Sequence, residues 1–462
     1  MKRLFASLLT LSALSLAPAC GGDGDKGNPP VDPNPNPSET QADVSSNITQ
    51  DTTWKAGVTY TLKKYIFVES GTLTIEPGTR ILGAQGSALI VTRNAKIHAV
   101  GTAQAPIVFT SSQPEGSRAA GDWGGVVLLG KGRINVSGGE NTVEGFFASG
   151  NNPLTTYGGG ANPNDAHDCG KLNYVRIEFA GFELSEDNEL NGLTVAGCGS
   201  DTDLDYIQVH KGADDGVEFF GGSAPLKHAV ITQADDDSLD YDLGYNGKIQ
   251  FFIAQQNAVV GNRGIEASGN KNNNAATPLS APEIWNATFI GSGRAPGTSP
   301  AQQGLVFNTG AGGKLNNVIV AHFADLAVDV DGTASAALWN AATPELYLRN
   351  TFFWNNRGDQ VSIPAAPNPT VDASGNITNP DVSNFNEPER VLASGLNNRV
   401  VDPQLADALN LTAPDFTPVA GSPALNPDAA ATPPAGFDTS ARFVGAVGPT
   451  NWLAGWTAFP EN

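Results

Sequence analysis

The chain has 462 residues and a formal net charge of −21, a balance that argues against a nucleic-acid partner, because phosphate binding needs clustered Lys and Arg. Charged residues make up only 16% and Met occurs once against 53 Gly, which points to a turn-rich β protein rather than a helical one. So acidic a surface suits divalent cations or neutral glycans, or serves solubility alone.

Lys2 and Arg3 followed by an apolar run from Leu4 to Leu16 have the form of a signal peptide over residues 1–19. The run is too short to span a membrane as a mature helix. It ends Ala17-Pro18-Ala19-Cys20 and resembles a bacterial lipoprotein box, which implies lipidation of Cys20 and a place at the outer membrane or cell surface; the alternative is ordinary secretion. Such boxes carry Leu three residues before the Cys, whereas Leu16 lies four before. Residues 20–45 are mostly Gly, Asp, Asn, Pro and Ser and lack the apolar surface to fold, so they read as a disordered tether.

Short alternating strands follow, within Gly71–Ile81 and at Ala88–Val91, Ala95–His98 and Pro106–Thr110, punctuated by Gly, Pro and Asn and with no room for crossover helices. Two cysteines, Cys169 and Cys198, flank a strand and an insertion; in an oxidising compartment such a pair bridges neighbouring coils.

A repeat then decides the architecture. The element Leu204–His210 recurs 22 residues on as Leu226–Thr232 and 23 later at Ile249–Ala254. Further copies are Leu172–Ile177, Ile284–Phe289, Leu315–Val320 and Leu348–Phe353, the later ones 31 to 35 residues apart. A second strand recurs between them at Val217–Phe220, Leu239–Asp242, Ile265–Ala267 and Leu305–Phe307. Strand-only units at this period predict a right-handed parallel β-helix over residues 46–363, with a basic coil of 22 residues and parallel ladders about 4.8 Å apart. The Asn at the third position of three copies (Asn286, Asn317, Asn350) reads as a turn or ladder residue. Residues 364–462 lose the pattern and are expected to form C-terminal coils and an aromatic cap, with Trp452, Trp456 and Phe459 covering the open apolar end.

The loop before the second strand carries the chemistry. Aligning Ala213–Glu218, Asp235–Asp240 and Gly261–Glu266 on Val217, Leu239 and Ile265 stacks Asp214, Asp236 and Asn262 in one column. Asp215, Asp237 and Arg263 form a second column, and Glu218, Asp240 and Glu266 a third, with Asp242 beside it. Two like charges at this spacing repel by about 0.9 kcal/mol in water and about 3.5 kcal/mol at an effective dielectric of 20. Something must offset that: Arg263, a Ca²⁺ ion held by Asp214, Asp236, Glu218, Asp240, Asp242 and Glu266, or raised carboxylate pKa values of the kind general acids use. Asp-rich turns, whose side chains bond nearby backbone N–H groups, are the structural alternative.

At these residues the chain resembles the pectin-lyase-like superfamily of right-handed β-helices. The segments Leu73–Gly78, Trp123–Val126, Asp214–Gly221, Asp235–Asp242, Asn262–Glu266 and Trp452–Phe459 are more closely similar to a group of uncharacterised bacterial surface β-helix lipoproteins, over most of residues 55–460. That likeness implies fold and location, with no established activity. A looser likeness to polygalacturonase-type glycoside hydrolases matches Asp215 to the first acid and Asp236 with Asp237 to the acid pair, but the His of the next segment is replaced in Asn262-Arg263-Gly264. Polysaccharide lyases offer another template, in which Ca²⁺ acidifies the sugar and an Arg is the base. Three readings therefore stand. The leading one is a non-catalytic surface module that presents an acidic, Ca²⁺-binding face to glycan or extracellular matrix. The second is a polysaccharide hydrolase or lyase using Asp215, Asp236, Asp237 and Arg263, and the third is a structural spacer of the envelope.

Overall fold

The computed structural model describes residues 40–144, 152–185, 188–295, 301–356 and 385–462. The signal segment 1–19, Cys20 and the tether up to residue 39 lie outside them. Two parallel sheets, of 16 and nine strands, wind as a right-handed β-helix in which the coils between Tyr65 and Val330 contribute strands to both. The Leu of one copy sits on the Leu or Ile of the next: Leu172 on Leu204, Leu204 on Leu226, Leu226 on Ile249, Ile249 on Ile284 and Ile284 on Leu315. These columns are all but fully buried and make one continuous core, as stacking of identical units demands. Cys169 and Cys198 are bonded inside it.

Each long strand of the large sheet is two arms joined at one residue in left-handed conformation. That residue is Tyr174, Tyr206, His228, Phe251, Asn286, Asn317 or Asn350 in successive coils, with φ between +48° and +60°. Asn tolerates that region well and the aromatics do not, so the aromatic members are held there by their neighbours. Tyr174, Tyr206, His228 and Phe251 stack face to face with ring centroids 4.2, 4.3 and 4.6 Å apart.

Two boundaries differ from the sequence expectation. Thr40–Val44 is a strand paired in parallel with Val58–Leu62, so ordered structure begins inside the segment assigned to the tether. The aromatic C-terminal residues do not cover the open end of the helix. That end is closed by the helix Gly332–Asn340 and the short helix Glu387–Val391, whose Val391 joins the main core together with Phe385; Trp339 packs edge-on against Phe385. Trp452, Trp456 and Phe443 lie instead along the flank of the large sheet, in a strap that follows residue 400.

The reason lies in the second arm of the large sheet. Its outward column reads Gln208, Val230, Ile253, Thr288, Ile319 and Phe352, all buried. An apolar face on the outside of a coil needs a cover, and the strap supplies Phe416, Ala424, Val444, Ala446, Leu453 and Trp456. The polar members of the column bind strap backbone: Gln208 exchanges two hydrogen bonds with Ala458, and Ala446 N–H donates to Thr288 Oγ1. Asn286, Asn317 and Asn350 donate their side-chain amides to the carbonyls of Phe443, Ala431 and Ala429 at 2.8–2.9 Å. The indole N–H groups of Trp452 and Trp456 donate to Ala446 and Trp452 carbonyls, so both rings are structural.

Trp456 is 1% exposed and meets Tyr174 and Tyr206 edge-on. Trp456→Ala is therefore expected to cost about 3–5 kcal/mol in urea unfolding; a loss below 1 kcal/mol would show that the strap is dispensable.

Candidate functional site

The outer face of the small sheet changes character along the helix. In the early coils it is apolar (Ile90, Val127, Leu129, Ala196) and is covered by a loop carrying Ile134, Val143 and Tyr157. The column through Ile90, Val127 and Thr194 then turns acidic, because Thr194 pairs with Glu218, Glu218 with Asp240 and Asp240 with Glu266. The parallel column through Phe220 leads to Asp242. Alternation does this: Val217, Phe219, Leu239, Tyr241, Ile265 and Ala267 point inward, so the residues between them must point out.

These acids floor a groove of about 1260 Å³. Asn135, Asn141 and Glu144 form one wall and the segment Ser268–Thr277 the other, with Asn308 and Thr309 farther along. The walls are joined where Asn135 Nδ2 donates to the Pro278 carbonyl and Asn270 Nδ2 to the Asn135 carbonyl, both at 2.9 Å.

Not all the sequence-predicted acids reach the groove. Asp215 and Asp237 lie beneath it, 7% and 1% exposed. Asp215 Oδ1 accepts from the backbone N–H of Asp237 at 3.0 Å, and Asp237 Oδ1 from that of Arg263 at 2.6 Å. They form a ladder that ties each loop to the next coil, the role of the Asp-rich turn. Gly216 is obligatory beside them, since a Cβ there would lie 2.1 Å from Ile231. Asp214 and Asp236 are half-buried on the same loops, each with an oxygen within 4.8 Å of the other and of Asp215. Arg263 pairs with Asp237 Oδ2 at 3.3 Å and with Glu266.

The floor and the ladder beneath it hold far more acid than base. Asp215, Glu218 and Asp240 present oxygens within 4.8 Å of one another, as do Asp237, Asp240 and Glu266. Burial first, and then mutual repulsion, push the Asp215, Glu218, Asp237, Asp240 and Asp242 carboxyls well above the ordinary carboxylate range. Burial pushes Asp235 up to about 6. For Arg263, burial opposes the charge, but Asp237 and Glu266 outweigh it and hold the guanidinium protonated. Glu218 accepts a hydrogen bond from Asn191 Nδ2 at 2.5 Å and Glu266 one from Asn308 Nδ2 at 3.0 Å. Asp240 Oδ1 and Asp242 Oδ1 are buried atoms without a hydrogen-bond partner. The groups that could hold a hard cation are Asp215, Glu218 and Asp240, and Asp237, Asp240 and Glu266, which share Asp240; all are oxygen donors, and Ca²⁺ takes six to eight.

A family model described as a pectate-lyase-like β-helix domain matches residues 46–384. The chain belongs to that family. No curated protein and no solved structure matches it. In this pectate-lyase-like β-helix the groove residues Glu144, Tyr157, Lys271 and Asn308 escaped the sequence reading. Glu144, Tyr157 and Lys271 sit in single-copy insertions, whereas Asn308 directly follows the strand Gln303–Phe307 and its N–H bonds the Ala267 carbonyl of the preceding coil; the run Asn272-Asn273-Asn274 just after an acidic strand was a readable sign of a polar wall.

Two substitutions should move stability in opposite directions. Asp237→Ala strands the half-buried Arg263 N–H and is expected to cost about 1–3 kcal/mol. Asp240→Asn keeps the shape and removes repulsion, so its urea midpoint at pH 8 should exceed that of the unsubstituted protein. The pH dependence has the same origin. Carboxyls raised in the folded state contribute stability that is full below their unfolded values near 4 and is lost as pH rises through the folded values. The midpoint should therefore fall between pH 5 and pH 8, and fall less in Asp240→Asn; a midpoint flat across that range would contradict the shifts.

Proposed function

We propose that this protein is an exported, lipid-anchored surface module that holds a neutral glycan chain along its small-sheet groove without cleaving it. The observation that carries this reading is the composition of the groove, a floor of carboxylates under walls rich in Asn, Ser and Thr, which matches the donor and acceptor needs of sugar hydroxyls. An anionic polymer would meet repulsion on such a floor unless a divalent cation bridged it. The binding reading is favoured over hydrolysis because Asp215 and Asp237 are engaged by backbone N–H groups under the groove. It is favoured over elimination because Arg263, held between Asp237 and Glu266, stays protonated and cannot take a proton as a base.

Calorimetry against a panel of neutral and acidic polysaccharides tests the reading, alongside assays for new reducing ends and for unsaturated products. Binding of a neutral glycan without product, weakened at least tenfold by the Asp240→Ala, Glu266→Ala double substitution, is the expected result. Turnover of any polysaccharide would replace it with the enzyme reading. The two unpartnered oxygens favour a cation in the same groove. If Ca²⁺ binds the folded state, a hundredfold excess over its Kd adds about 2.7 kcal/mol, so the melting temperature should rise with Ca²⁺ and fall with EDTA. An unchanged melting temperature would remove the cation. The anchor rests on the Ala17–Cys20 segment. Cys20→Ala should move the protein from the membrane to the soluble fraction, and unaltered fractionation would exclude lipidation.

A further inference from the structure

The strap's last described residues lie across the early coils, and a single histidine sits at their centre. On the strand Asp203–His210, Gln208 pairs with Ala458, His210 with the Pro460 carbonyl at 2.9 Å and Lys211, just beyond it, with the Glu461 carbonyl. Gly116 N–H donates to the Asn462 carbonyl at 3.1 Å. His210 is fully buried beneath Phe459, its ring edge-on to that residue at 5.9 Å and to Phe179 at 6.2 Å. A carbonyl only accepts, so Nε2 carries the proton given to Pro460, and the neutral ring's Nδ1 accepts from Thr232 Oγ1 at 2.7 Å.

We propose that residues 456–462 form an acid-released latch, closed over His210 while its imidazole is neutral and lifted when the ring takes a second proton. A proton on Nδ1 reverses the Thr232 hydrogen bond and places a net charge in a site closed to water. The charged groups around it do not rescue that charge. On the strand Gly170–Glu178, Glu178 pairs with His210 in the register and favours its charge, but Glu178 is itself bound at 2.5 Å by the buried Arg176, which opposes that charge, and burial outweighs both. Next along the chain, Lys211 adds a second positive charge, moderated by Glu461 on the strap and Asp235 on the following loop. On the neighbouring strand, His228 faces Asp205 at 2.7 Å. Burial holds His210 down to about 4, well below its ordinary value. A histidine depressed in the closed state favours closure fully above about pH 6.5 and loses that contribution as pH falls towards 4. Lifting the strap's last residues gives the imidazolium water and uncovers the edges of Tyr174 and Tyr206 that Trp456 meets.

Hydrogen exchange read by mass spectrometry, corrected for intrinsic rates, tests the latch on the intact protein. Protection of residues 456–462 should fall at least tenfold between pH 7 and pH 4 while the strands Leu226–Thr232 and Lys248–Gln255 keep theirs. His210→Gln retains an amide donor for Pro460 and cannot be protonated, so its latch should stay protected at pH 4. Equal loss in His210→Gln, no loss in the unsubstituted protein, or loss from the strands in the same step would each overturn the proposal. Should the variant fail to fold, the imidazole titration of His210 followed by NMR in the unsubstituted protein decides: it must share its midpoint with the loss of protection. Titration with the latch still protected would also overturn it.

Discussion

Parallel stacking at about 4.8 Å per coil is the constraint on which everything else rests. Once Leu204 pairs with Leu226 and Leu226 with Ile249, every other residue of those coils is placed on its counterpart. Apolar residues profit, since each column buries like against like and leaves no end effects between coils. Planar residues at the bend profit too, because rings at that spacing stack. Charged residues do not: the same register that builds the core sets Glu218 on Asp240 and Asp240 on Glu266. The fold thus makes an acidic surface costly wherever the acids recur, and tolerable only with protons, Arg263 or a bound cation.

The molecule uses its two outer faces differently. On the large sheet, an outward column of Val230, Ile253, Ile319 and Phe352 is sealed by the strap, whose backbone satisfies the amides at the bend. On the small sheet, the early apolar stretch is sealed by the loop bearing Tyr157, and the later polar stretch is left as the groove. Covering and exposure follow the polarity of the columns, so the position of the groove is decided where Thr194 gives way to Glu218.

Much of this was legible in the residues. The period gave the coil, and aligning Val217, Leu239 and Ile265 gave the columns of acids, because parallel register preserves sequence alignment in space. What Asp215 and Asp237 do was open between a turn ladder and catalysis, since a carboxylate two residues before the strand can face either the next loop or the solvent, and only the 3.0 and 2.6 Å contacts decide. The strap was misplaced as an end cap for a different reason. It occurs once, so no period reveals it, and its contacts join residues such as Asn317 and Ala431 that lie 114 apart. A clue was present in the unbroken apolar runs Phe251–Ala254 and Val318–Ala321, which cannot be half-exposed strands and require cover on both faces. Of the groove walls only the run Asn272-Asn273-Asn274 left a sign, because insertions carry no register.

The strap also fixes how long the helix can be. Solenoids ordinarily lengthen by duplicating a coil, since each repeat meets only its neighbours. Here the strap is fastened at Asn350, Asn317, Asn286 and Gln208. A duplicated coil between any two of those points would push them about 4.8 Å farther apart and pull the strap out of step with every later contact. Growth would then need a matching insertion in the strap, whose contacts lie 79 to 250 residues downstream of the points they fasten. The strap acts as a gauge, and the number of coils between Gln208 and Asn350 can change only when two distant parts of the chain change together.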